Sequence, residues 1–124
     1  MSISFRPVEE RFNPHTSSCF LSPEGVAKVL ATLAEQEGLA WQQHGMHDTH
    51  LEIWIDDGVK FLAKLATLKP TPGAMVELAK QAGIDLVDVS QLTSLVHNLS
   101  NLANLWDSSI DSVDGSLTFY IDAY

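Results

Sequence analysis

The chain has 124 residues, 45% of them apolar, with 16 acids against 7 Lys and Arg, a net charge of −9, and one cysteine. The length suits one domain, taken as 1–124, and the apolar share supports a packed core and argues against disorder. Lone Cys19 excludes an internal disulfide, no run approaches the ~20 apolar residues of a membrane helix, and the negative field disfavours nucleic acid and anionic lipid.

In chain order, Ile3 and Phe5 alternate with Ser4 and Arg6, which predicts a short strand ended by Pro7. No basic start precedes an apolar run, so no secretory leader is expected and the cytoplasm is the expected location. Asn13-Pro14 and the following Thr16-Ser17-Ser18 predict a loop over 11–18.

Ser22-Pro23-Glu24 is a helix start: a capping hydroxyl, a proline that gives up no needed N–H, and an acid at the positive end of the dipole. Val26, Val29, Leu30 and Leu33 form its stripe, and Gly38 ends it. Leu39, Trp41 and Gln43 begin a strand, 44–48 reads as a connection, and Leu51, Ile53 and Ile55 alternate with polar neighbours in a second strand. The two form a hairpin with a loop longer than two residues.

A short buried helix follows over 59–68, carrying Phe61, Leu62 and Leu65. Thr71-Pro72 opens the next helix, and Gly83 closes it. The stretch 84–89 is a weak strand or a connection. Ser90 is the expected cap of the last helix, whose stripe runs Leu92, Leu95, Val96, Leu99, Leu102, Ala103 and Trp106. The tail predicts a second hairpin, 109–113 against 116–122, turning at Asp114-Gly115. The fold class expected is α+β: an antiparallel sheet built from hairpins, with three to four helices packed on one face.

Four features carry functional expectations. The charge is lopsided: up to Lys80 there are ten acids against seven bases, and from Gln81 onward six acids and no base. Trp54, Tyr120 and Tyr124 fall on the polar sides of their strands. Should those strands pair, they would form an aromatic patch beside Glu52, Asp56 and Asp122, able to hold a cationic group. Asp107 and Asp111 extend the acidic set. The helix over 91–106 has no charged residue, and its amide-rich polar face suits an interface, including a homodimer.

The fourth feature is His44-x-x-His47-x-x-His50, with Asp48 inside it. Imidazoles suit zinc, copper and nickel, though the spacing matches no strong zinc signature. The bland alternative is a polar loop of solvated histidines. His15 with Cys19 lacks an orienting third group, and Cys19 reads as a small buried hydrophobe. The pairs Glu9-Glu10 and Asp56-Asp57 read as solvated element ends, because neighbours on a strand point to opposite faces. No phosphate loop, nucleophile elbow or Cys-x-x-Cys is present, and the residues spell no family motif.

The expectation is a non-catalytic module that binds a basic protein, with the profile of an inhibitor or immunity-type protein occluding a toxin or nuclease. It would use Glu52, Trp54, Asp56, Asp107, Asp111, Tyr120, Asp122 and Tyr124, without a cofactor. The alternatives are a divalent-metal protein or enzyme using His44, His47 and His50, and a subunit dimerising through 91–106.

Overall fold

The computed structural model describes residues 3–7, 17–19, 21–47 and 50–123. Five strands form one antiparallel sheet: β1 (Ile3–Pro7), β2 (Ser17–Cys19), β3 (Trp41–His47), β4 (His50–Ile55) and β5 (Leu117–Ala123), ordered β2-β1-β5-β4-β3. Four α-helices lie among the described residues: α1 (Pro23–Gln36), α2 (Gly58–Ala66), α3 (Pro72–Ala82) and α4 (Val89–Leu102). The class is α+β.

The helix starts follow the capping chemistry of the sequence. Ser22 Oγ accepts from the Gly25 amide at 3.0 Å, Asp57 Oδ1 from Lys60 at 3.0 Å and Thr71 Oγ1 from Ala74 at 3.4 Å. Gly83 ends α3 at φ 71°, and Gly38 follows α1 at φ 68°, both conformations that a Cβ disfavours.

Alternation in β4 and β5 decides which side of the sheet meets the core. Leu51, Ile53 and Ile55 are buried, and in register with them stand Ile121, Phe119 and Leu117, also buried. Phe61 of α2 meets Phe119 edge-on at 6.0 Å between ring centroids, and Trp106 meets it at 5.2 Å. Leu30 and Leu33 of α1, Leu65 of α2, Leu78 of α3, and Leu92, Leu95 and Leu99 of α4 belong to the same core. Glu52, Trp54, Thr118 and Tyr120, on the opposite side of the pleat, are only partly buried.

Several sequence expectations are corrected. Residues 44–47 are not a connection but the second half of β3. Gln42, Gln43, His44 and Gly45 are exposed, as an edge strand allows, so no apolar alternation announces the strand. The second hairpin does not form. Residues 111–115 are a turn, and β5 inserts between β1 and β4. Alternation marks a strand without naming its partner. Ser17 and Ser18 lie in β2 rather than in a loop.

The last helix is not continuous over 91–106. It begins at Val89 inside a run that starts with a 3₁₀ turn, Leu86–Asp88, capped by Asp85 through the Val87 amide at 3.1 Å, so Ser90 is not the cap. It gives way to a 3₁₀ segment, Ala103–Ser109. There Ala103, Trp106 and Ser109 are buried, three apart, which is the period of a 3₁₀ helix and not of an α-helix.

Candidate partner-binding surface

The strands carrying the expected aromatic patch do pair. Glu52 stands opposite Tyr120 and Trp54 opposite Thr118, and directly opposed residues of an antiparallel pair have Cβ atoms about 4.5–5.5 Å apart. The structure therefore brings Glu52, Trp54 and Tyr120 together outside the core. Asp122 is in register with His50 and with Ser4. Arg6 of β1 is in register with Tyr120. Tyr124 lies outside the described residues.

Asp56 takes another role. Its Oδ1 accepts the Ala40 amide at 3.1 Å while its own amide donates to the Ala40 carbonyl at 3.1 Å. These two bonds close the end of the β3–β4 ladder.

Asp107 and Asp111 are not on the sheet. Asp111 belongs to the turn before β5, which meets the start of α2, and Asp107 lies in the 3₁₀ segment that precedes it. The Gly58 amide donates to the Gly115 carbonyl at 2.7 Å. Asp56 and Asp57 immediately precede Gly58, and Asp114 immediately precedes Gly115. Asp111 Oδ1 accepts the amides of Val113 at 2.7 Å and Asp114 at 3.2 Å, which holds the turn tight. Asp114 Oδ1 accepts the Ser116 amide at 2.9 Å. Hydrogen bonds from the Ser116 side chain and then its backbone hold the Asp114 carboxyl below its ordinary pKa, because both favour the charged form.

Asp107 lines a shallow groove of about 390 Å³ between α2 and the 3₁₀ segment, with Val59, Leu62, Ala63, Ala103 and Asn104. Asp56, Asp57, Asp107, Asp111 and Asp114 are all exposed, and Lys60 is the nearest cation in sequence to this end. Three large apolar side chains are exposed in the same elements: Val59 at 64%, Leu105 at 46% and Val113 at 93%. Uncharged apolar contacts rimmed by carboxylates suit a surface bearing Lys or Arg, whose stems are apolar and whose heads are cationic.

The sequence reading places Asp56 with the aromatic patch and gives no binding role to Asp57, Asp114, Val59, Leu105 or Val113. A signal was present for the last three. Val59 and Leu105 fall off the apolar stripes of their helices, and Val113 sits in a turn sequence.

For the histidines, His44 is exposed on β3 in register with Glu52, and His47 is in register with His50. Among the residues whose side chains are described, no three His, Cys, Asp or Glu gather closely enough to hold a metal ion. His47, His50 and Asp122 are placed by backbone register. Cys19 pairs with Ile3 in the β1–β2 ladder, while His15, Glu9, Glu10 and Asp48 lie outside the described residues. No helix among the described residues is long and apolar enough to cross a membrane. No family model matches the chain, and no curated protein or solved structure is found to be similar to it.

Proposed function

We propose that this protein is a non-catalytic module that binds a basic protein partner and acts by occlusion, in the manner of an inhibitor or immunity-type protein, in the cytoplasm. The observation that carries the reading is the Gly58–Gly115 contact, which joins a stretch holding exposed Asp56, Asp57 and Val59 to a turn holding exposed Asp111, Val113 and Asp114, with exposed Asp107 lining a groove beside Val59. Charge steers the encounter, and the apolar residues supply contact area once water is displaced.

The test is co-purification of the untagged protein from its host at low salt, followed by association kinetics with the partner recovered. A basic partner is expected, with an association rate that falls steeply as ionic strength rises. Asp107→Lys should slow association and Lys80→Ala should not. Nothing bound at low salt, or a rate indifferent to salt and to Asp107→Lys, would overturn the reading.

A second reading, self-association through α4, is favoured by one observation. Ser90, Ser94, His97 and Asn101 form an exposed stripe with no formal charge on a chain of net −9, so two copies meeting there escape direct repulsion. Sizing across a range of concentrations should show a dimer that Asn101→Glu dissociates, and a monomer throughout would end the idea.

A further inference from the structure

We propose that the outer edge of β3 is a self-pairing surface, where two copies of the chain meet antiparallel across a two-fold axis and join their sheets into one. It shares no residue with the Gly58–Gly115 end or with α4, so it stands independently of both readings above.

Of the two edges of the sheet, β2 is three residues long, Ser17–Cys19, whereas β3 runs for seven, Trp41–His47. Among the described residues no strand lies beyond β3. Long edges are commonly blunted by Lys, Pro or an inward-pointing charge. Trp41, Gln42, Gln43, His44 and Gly45 include none of these and carry no formal charge, in a chain of net −9. The register shift between Gly45 and His47 comes after them.

The β3–β4 ladder decides which backbone groups face outward. In an antiparallel pair, hydrogen-bonded and non-hydrogen-bonded positions alternate. The Asp56 amide donates to the Ala40 carbonyl, so Ala40 is a hydrogen-bonded position. Gln42, opposite Trp54, and His44, opposite Glu52, are the next two. The N–H and C=O groups of Trp41, Gln43 and Gly45 therefore point away from β4, to the open edge. They lie symmetrically about Gln43. A two-fold pairing needs that symmetry, because the same strand serves as both partners.

In that pairing Gln43 faces Gln43 of the second copy, Trp41 faces Gly45, and Gln42 faces His44. Each outward N–H of one strand meets an outward C=O of the other. The side chains fit as well. Trp41 is held by its Nε1 donating to Glu35 Oε1 at 3.1 Å. Gly45 leaves room for an indole, since an ideal Cβ there would meet only Leu51 Cδ2 among the described residues, at 3.8 Å. An aromatic side chain covering an edge glycine stabilises a sheet. No charge meets its like across the axis. A charged partner segment would find no counter-charge on this strand, which favours the second copy as its occupant.

The experiment is hydrogen exchange of the untagged protein at low and high concentration, with sizing by sedimentation over the same range. A dimer should form as concentration rises. The Gln43 amide should gain at least about tenfold protection with it, whereas the Gln42 and His44 amides, already bonded to β4, should change little. Gln43→Glu sets two carboxylates directly opposite one another and should weaken the dimer at least about tenfold, with folding checked by circular dichroism. Asn101→Glu, on α4, should leave this dimer intact. A monomer throughout, a dimer whose Gln43 amide gains no more protection than those of Gln42 and His44, or a dimer lost with Asn101→Glu and kept with Gln43→Glu, overturns the pairing.

Discussion

The Gly58 amide donates to the Gly115 carbonyl at 2.7 Å, joining the first residue of α2 to the turn that leads into β5. The approach is close because Gly58 has no side chain. A Cβ there would come within 2.9 Å of Ile110 Cγ1, 3.0 Å of Leu117 Cβ and 3.2 Å of the Gly115 carbonyl oxygen. The bond links two stretches far apart in sequence, and Asp56, Asp57, Asp111 and Asp114 are held together by it.

Gly58→Ala is accordingly expected to destabilise the fold. Overpacking costs about 1–3 kcal/mol, against a helix-propensity gain of at most about 1 kcal/mol. Gly73, near the start of α3, has nothing within 4 Å of its ideal Cβ, so Gly73→Ala should be neutral or stabilising by up to about 1 kcal/mol. Urea denaturation of both variants checks the contrast, and equal effects would contradict the close approach.

Trp106 and Leu105 are neighbours with opposite expectations. Trp106 is fully buried edge-on to Phe119, at 81° between ring planes, so Trp106→Ala should cost about 3–5 kcal/mol. Leu105→Ala should change stability by no more than about 0.5 kcal/mol, because the side chain is half exposed. A large loss for Leu105→Ala would place it in the core instead.

The helix caps should rank by their geometry. Ser22 Oγ accepts at 3.0 Å and Thr71 Oγ1 at 3.4 Å. Ser22→Ala is expected to cost about 1 kcal/mol, and Thr71→Ala less. Thermal melts measure the order, and a reversal would show that the longer bond is the stronger cap.

Asp114 ties stability to acid. Its carboxyl titrates below its ordinary value because Ser116 hydrogen-bonds the charged form. Its contribution is therefore present above the unfolded pKa of about 3.9 and lost as the pH falls through the lower folded value. Asp114→Asn should flatten that part of the pH–stability curve and leave the slope around neutrality unchanged. An unchanged acid limb in the variant would rule out this linkage.

Local chemistry was legible in the residues. The starts at Ser22-Pro23 and Thr71-Pro72, the helix end at Gly83, and the alternation of Leu51 to Ile55 and Leu117 to Ile121 each depend on groups within a few positions of one another. Two matters waited for tertiary structure, since each depends on contacts between distant segments. The partner of β5 is one, because strand alternation is the same whether the neighbour is a local hairpin arm or β1 and β4. The approach of the stretch holding Asp56 and Asp57 to the turn holding Asp111 and Asp114 is the other. Composition counts these charges, but where they meet follows from the packing of Gly58 against Gly115.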